Sequence, residues 1–262
     1  MYTIVLATQK GGSGKSTLAI GLALAATEAG HNVRLIETDQ QGTLSNWQSR
    51  RGIAEPIVET VYGASDIEQR LEALDRGGVT VTIIDTAGGL SAATTAAIRY
   101  CDLCLIPTRP SVADIEATGS TLSVARAWRK PFAYVLNQTP LRGRRIDGAT
   151  SALGDDAPFD LADVLAQPFI VMRNDHQDAL AAGLGVGEYA PSGKSAEEIR
   201  GLWQWAEARL NGGIVAGEEL GNGLEPVEFP IMLMPADEDA AEPAAPARSV
   251  WTEVVVPWDS GL

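Results

Sequence analysis

The chain has 262 residues, 45% of them hydrophobic and 21% charged, which suits one large α/β domain with appendages or two small domains. A formal net charge of −14 counts against a uniformly basic nucleic-acid coat, and no apolar run approaches the ~20 residues that span a bilayer. The N-terminus lacks a basic segment followed by an apolar one, so no signal peptide is expected.

Taken in order, residues 2–8 read as a buried strand and 16–29 as a helix stopped by Gly30. Residues 32–37 are a second strand, 43–51 a short helix, 57–61 a short strand, and 65–75 a helix capped by Ser65 or Asp66. Residues 79–84 form a strand ending at Asp85, 91–99 a helix, and 103–106 a strand closed by Pro107. A helix follows over 112–128, then a strand over 132–136 ending at Asn137. Residues 138–166 read as looser structure, 169–172 as a last strand and 196–210 as a last helix. Short apolar strands alternating with helices predict a mostly parallel sheet covered on both faces. Ligands of such sheets bind at the C-terminal strand ends. There the phosphate-loop candidate, Asp39, Asp85 and Asn137 can converge.

The first of these strand ends runs into Lys10-Gly11-Gly12-Ser13-Gly14-Lys15-Ser16-Thr17. Three glycines let backbone N–H groups turn inward, and the helix that follows aims its positive end at the same place. Such a turn holds a polyphosphate, with Lys15 reaching the β- and γ-phosphates and the Ser16 hydroxyl on Mg²⁺. The general pattern G-x-x-x-x-G-K-[ST] is met except at its first glycine, where Gln9 stands, and an extra lysine, Lys10, follows.

This variant resembles the deviant Walker A motif of the ParA/MinD family of ATPases, which have a P-loop NTPase fold. The resemblance implies that Lys10 crosses a dimer interface to the phosphates of the other subunit. It makes Asp85, in Thr82-Ile83-Ile84-Asp85-Thr86, similar to a Walker B acid that holds Mg²⁺ through water. It gives Asp39 the role of positioning the attacking water, although the family's D-x-D-P-Q-G reads here Glu37-Thr38-Asp39-Gln40-Gln41-Gly42. The part of the substituted Glu37 stays open: its extra methylene could shift a metal-bound water or a switch contact. Leu105 to Asp114 is similar to the family's I-P-x-x-P-S-x-x-D segment, and Asn137 matches an asparagine near the nucleotide base. Gly187-Glu188-Tyr189 followed by Ser195 to Ile199 is similar to the closing segment of small ParA proteins. With the phosphate loop beginning at residue 10, the chain resembles the short ParA type without an N-terminal helix-turn-helix domain.

The implied catalytic residues are therefore Lys10, Lys15 and Asp39. The implied nucleotide-binding residues are Gly11, Gly12, Ser13, Gly14, Lys15, Ser16, Thr17 and Asn137, with Ser16 and Asp85 serving Mg²⁺. ATP and Mg²⁺ are the expected ligands, and slow hydrolysis to ADP and phosphate the expected reaction. The resemblance implies a homodimer with ATP, non-specific DNA binding, and a ParB-like or cargo adaptor partner that stimulates hydrolysis. It places the protein in the bacterial cytoplasm on the nucleoid. Candidate DNA contacts are Arg142, Arg144, Arg145, Arg173, Lys194, Arg200 and Arg209. The cargo could be a plasmid, a chromosome region or a protein assembly. The alternatives are a MinD-like membrane ATPase, a conjugation-related relative and a metabolic enzyme on the same fold. A MinD-like membrane anchor needs a basic amphipathic C-terminal helix, so no membrane partner is expected here.

Residues 1–210 read as the ATPase domain and 211–262 as an acidic, largely irregular tail, with apolar islands at 229–234 and 250–258. The tail carries ten acids and one base, so much of the net charge belongs to it. Cys101 and Cys104 have C-x-x-C spacing without a second pair, and read as small core residues in a reducing setting.

Overall fold

The structure, a computed structural model, describes residues 1–141, 144–155 and 164–212. Among these residues six strands form one sheet: β1 (Tyr2–Leu6), β2 (Val33–Glu37), β3 (Ile57–Thr60), β4 (Val81–Asp85), β5 (Leu103–Thr108) and β6 (Phe132–Leu136). Their order is β3-β2-β4-β1-β5-β6, and every neighbouring pair is parallel. The helices are α1 (Lys15–Glu28), α2 (Thr43–Arg50), α3 (Ala64–Arg76), α4 (Ala92–Tyr100), α5 (Val112–Glu116), α6 (Thr118–Ala127), α7 (Arg144–Asp155), α8 (Asp175–Ala181), α9 (Val186–Tyr189) and α10 (Lys194–Gly212). This is the expected P-loop NTPase-like architecture of a parallel sheet between helical layers.

Two apolar layers lie on the two faces because successive strand residues point to opposite sides. Ile4 and Leu6 of β1, Ile83 of β4 and Leu105 of β5 meet α1, α2 and α10 on one face. Val5, Ile84, Cys104 and Ile106 meet α3, α4 and α6 on the other. Cys101 and Cys104 are both fully buried and unbridged, as read from the sequence. Burial pushes the Cys101 thiol up to about 12 and Cys104 well above the ordinary thiol range, so neither supplies a thiolate.

Several expectations are corrected by tertiary packing. β5 runs through Pro107 instead of closing before it. Leu105 faces β1, since its carbonyl accepts from Ala7 N; Pro107, two residues on, faces the same side beyond the end of β1. Its missing N–H therefore costs no ladder bond. The helix read over 112–128 is two helices, broken where the Thr118 hydroxyl donates to the Ile115 carbonyl at 2.7 Å and competes with the backbone ladder. Neither Ser65 nor Asp66 caps α3: its N-cap is Gly63, and the Ser65 hydroxyl donates to Asp66 instead.

Residues 169–172 make no strand, only an isolated bridge between Thr139 and Val171. β6 ends at Leu136 and Gln138 adopts φ 52°, so the pairing is limited to three backbone bonds: Ile170 N to the Leu136 carbonyl, Thr139 N to the Ile170 carbonyl and Met172 N to the Thr139 carbonyl. On the opposite side of this stretch the Val171 N–H donates to Glu198 Oε2. Helices α7, α8 and α9 were not foreseen. Among the described residues no helix is long and apolar enough to cross a membrane. The expectations for 213–262, including both apolar islands, lie outside the described residues.

Candidate functional site

Register brings the C-terminal ends of the central strands together. Leu6 of β1 and Glu37 of β2 both pair with Asp85 of β4, and the loop from β1 into α1 closes over the same edge. In that loop Gly12 (φ 76°) and Gly14 (φ 89°) take left-handed conformations. Gly14 is the N-cap of α1 and provides no side-chain acceptor, which leaves first-turn N–H groups aimed at the loop's hollow. The Ser13 hydroxyl is buried there without a hydrogen-bond partner among the described residues.

The loop is braced from the end of β6. Asn137 Nδ2 donates to the Ser13 carbonyl at 2.7 Å, and Gln138 Nε2 donates to the Gly12 carbonyl at 3.0 Å. Asn137 is thus a buried brace of the loop's backbone, and the expected proximity to a base is a separate matter. Gln138 escaped the sequence reading; nothing in its type or spacing announces a residue at φ 52° reaching back to Gly12. A methyl group on Gly14 would sit 2.3 Å from Asn137 Nδ2, and Asn137 cannot withdraw without losing its bond to Ser13. Gly14→Ala is therefore expected to destabilise the protein by about 2–3 kcal/mol, from left-handed strain plus that hydrogen bond. Chemical denaturation checks this; a loss below about 1 kcal/mol would show that the brace gives way freely.

Two lysines serve the loop differently. Lys15 is 7% exposed; burial lowers its pKa, while Asp85 and Asp39 pull the other way and favour the charged form. Lys10 lies at the rim, its Nζ 3.7 Å from Asp114 Oδ2. Asp114 is nearly buried and is also held by Arg109, whose Nε and Nη2 donate to Oδ1 at 3.1 and 3.0 Å, and by the Ser111 hydroxyl. A half-exposed ion pair of this kind is worth about 0–1 kcal/mol. Lys10 can therefore leave, and Asp114 keeps its other partners when it does. Nothing in the sequence pattern of 105–114 announces the Arg109–Asp114 pairing.

Asp85 is fully buried, and among the described residues neither carboxylate oxygen has a partner at full hydrogen-bond geometry; the Ser16 hydroxyl approaches it without completing the bond. Desolvation pushes its pKa up to about 7; the Ser16 hydroxyl and the Lys15 ammonium ease the charge, and Glu37 and Asp39 add to the rise. An unsatisfied buried carboxylate is costly and marks a place where a cation or another donor belongs. Among the described residues no cluster of three His, Cys, Asp or Glu could ligate a metal by itself. One carboxylate, one serine hydroxyl and room for phosphate oxygens is the donor set that suits Mg²⁺, which keeps several waters. The residues present thus fit that ion.

Asp39 is half-buried in the loop between β2 and α2, where its Oδ1 accepts from Gln41 N at 3.0 Å. Glu37 points elsewhere: it is fully buried and accepts from the N–H groups of Leu44 and Ser45 at the start of α2. Of the DNA candidates, Arg142 lies outside the described residues, as do the side chains of Arg144 and Arg145. Arg173 pairs with Glu198 at 2.6 Å and Lys194 with Glu197 at 2.7 Å. Arg200 donates to the Pro191 carbonyl at 2.7 Å and lies 4.0 Å from Glu28, and Arg209 stacks over Trp205 at 4.6 Å. Each of these four is engaged locally.

Comparison with known proteins gives a consistent picture. The CobQ/CobB/MinD/ParA nucleotide binding domain family matches residues 4–137. Maintenance of carboxysome distribution protein A of Halothiobacillus neapolitanus is 28% identical over 210 residues, covering 75% of this chain and 92% of that protein. Protein ParA of Rhizobium radiobacter is 31% identical over 125 residues, covering 47% of this chain and 56% of that one. Among solved structures, the septum site-determining protein MinD of Pyrococcus horikoshii, complexed with Mg-ADP, superposes with a TM-score of 0.62. It is 18% identical, and the match covers 83% of this chain and 99% of that one.

Proposed function

The chain belongs to the CobQ/CobB/MinD/ParA nucleotide-binding family, and from that premise we propose that it is a ParA/MinD-like positioning ATPase. It binds ATP with Mg²⁺, dimerises face to face around the nucleotides, and rides on DNA without sequence preference. A partner on the cargo stimulates hydrolysis and releases it. The observation that carries this reading is the phosphate loop's pair of lysines. One is buried beside two carboxylates; the other is parked at the rim on a weak ion pair. A single lysine suffices to hold phosphates within one chain, whereas a second, releasable cation at the rim serves phosphates that approach from outside. The likeness to a carboxysome-distribution protein over most of its length supports a positioning role.

In this reading the loop's N–H groups and Lys15 hold the phosphates, and Ser16 and Asp85 hold Mg²⁺, Asp85 through water. When bound, the ion neutralises developing charge on the phosphoryl oxygens. Asp39 orients the attacking water. Lys10 stabilises charge on the phosphates across the dimer, and Asn137 keeps the loop in shape. The protein acts in the cytoplasm on the nucleoid, and residues 211–262 form an appended acidic tail.

Binding to random-sequence duplex DNA with no nucleotide, ADP or ATP, at two salt concentrations, tests this. ATP should bring salt-sensitive binding that Lys15→Ala abolishes and Asp39→Ala retains, because only the second variant still holds ATP. A dimer formed by ATP that binds no DNA at either salt concentration would remove DNA from the reading.

A further inference from the structure

We infer that Glu37 is a positioning residue for the Asp39 loop, tying the end of β2 to the start of α2 so that Asp39 is held in one place. The inference rests on the proposed hydrolytic role of Asp39.

Glu37 is the last residue of β2 and is fully buried. Its backbone is fixed in the sheet: the Val61 N–H donates to its carbonyl at 3.0 Å, and it pairs in register with Asp85. A buried carboxylate in this register could face the phosphate loop as a second acid. It does not. Oε1 accepts from Leu44 N at 2.6 Å, and Oε2 accepts from Ser45 N at 3.2 Å and from the Ser45 hydroxyl. The N-cap of α2 is Gly42, which offers no side-chain acceptor, so Glu37 serves as the cap from upstream. The extra methylene of glutamate relative to aspartate is what reaches the helix. An aspartate here would withdraw the carboxylate by about 1.5 Å, one C–C bond.

The tie matters because both of its ends are immobile while the segment between them is polar and short. α2 is anchored on its far side. Leu44 and Trp47 are fully buried, Trp47 Nε1 donates to the Leu184 carbonyl at 3.2 Å, and Arg51 stacks on Trp47 at 5.0 Å while pairing with Glu188. Within the loop, the Thr38 N–H donates to the Asp85 carbonyl at 3.0 Å, and Asp39 closes its own turn through Gln41 N and Gly42 N. Cutting the Glu37 tie leaves β2 paired and the body of α2 docked through Trp47, but frees the first turn of α2 and with it Gly42, on which the Asp39 turn closes, so that Asp39 can swing from the strand edge. A catalytic group displaced by even an ångström loses much of its effect, whereas the phosphate loop, on the other side of Asp85, is untouched.

Glu37→Gln keeps the side-chain length but replaces one acceptor oxygen by a donor that faces the Ser45 N–H. In the full chain, Mg-ATP affinity from titration with a fluorescent ATP analogue should stay within about twofold, while kcat for ATP hydrolysis falls about tenfold. Glu37→Asp, which cannot reach α2, should lose a similar factor, and Ser45→Ala, which removes one of the three bonds, about two- to threefold. In an Asp39→Ala background, Glu37→Gln should change the residual rate no further, since the two act as one unit. A Glu37→Gln variant with unchanged kcat, losses that multiply in the double variant, or a drop in affinity that matches the drop in rate would each overturn the inference. Should Glu37→Gln fail to fold, Ser45→Ala and its double variant with Asp39→Ala carry the same comparison. If the wild type shows no turnover that Asp39→Ala removes, the proposed function and this inference fall together. Turnover lost in Asp39→Ala but intact in Glu37→Gln sinks this inference alone.

Discussion

Lys15→Ala is expected to weaken Mg-ATP binding by about a hundredfold or more while leaving the protein folded. Lys15 is the buried cation of the phosphate loop, 7% exposed and already drawn toward the Asp85 and Asp39 charges. A polyphosphate entering the loop would meet it with little water between, where each charge-assisted hydrogen bond is worth about 1.5–3 kcal/mol. Two such bonds amount to about 3–6 kcal/mol, or about two to four decades in affinity. Stability should change much less. Burial disfavours the charged amine, as its lowered pKa records, so removing it relieves a desolvation cost that offsets the attraction lost to Asp85. Calorimetric titration with Mg-ATP and a thermal melt of the ligand-free protein read the two quantities separately. Wild-type affinity in the variant would exclude the loop as the nucleotide site.

The second large effect concerns the scaffold. Trp47→Ala should destabilise the domain by about 3–5 kcal/mol, the range for truncating a buried aromatic. Among the described residues Trp47 is the largest fully buried side chain; its indole N–H is taken by the Leu184 carbonyl, and the Arg51 guanidinium covers its ring. Truncation leaves a cavity between α2 and the α8–α9 region and strands Arg51 without its ring. For a domain of about two hundred residues each kcal/mol moves Tm by about 2–4 °C, so a fall of roughly 10 °C is expected. Trp128→Ala is the control: its ring is 42% exposed against Arg99, and its removal should cost under about 1 kcal/mol. A Trp47→Ala melt within a degree or two of wild type would mean that α2 is not anchored through this side chain, and the fixed end assumed for the Glu37 tie would be lost.

The parallel sheet, its six strands and the position of the phosphate loop were legible in the sequence, because each is written in neighbouring residues. Strands such as 81–85 show β-branched runs of strand length, α1 shows a glycine turn followed by helix formers, and two lysines flank that turn. The strand-end placement of Asp39, Asp85 and Asn137 followed from the alternation of strands with helices alone. Local pattern failed where a contact distant in sequence overruled it. Pro107 stays in β5 because β1 has already ended beside it. The helix over 112–128 breaks on one threonine hydroxyl. The stretch at 169–172 keeps only an isolated bridge because β6 turns at Gln138.

The same division runs through the site. The sequence by itself determined which residue types stand at the phosphate loop and at the three strand ends, since those spacings are local. Only the tertiary structure decided what those residues do to one another. It put Asn137 and Gln138 under a loop more than a hundred residues upstream, parked Lys10 on Asp114, and buried Asp85 with no completed hydrogen bond among the described residues. It also turned Glu37 away from the phosphate loop toward α2. The physical reason is that burial, hydrogen-bond satisfaction and charge neutralisation belong to the three-dimensional surroundings of an atom, whereas periodicity and spacing belong to the chain.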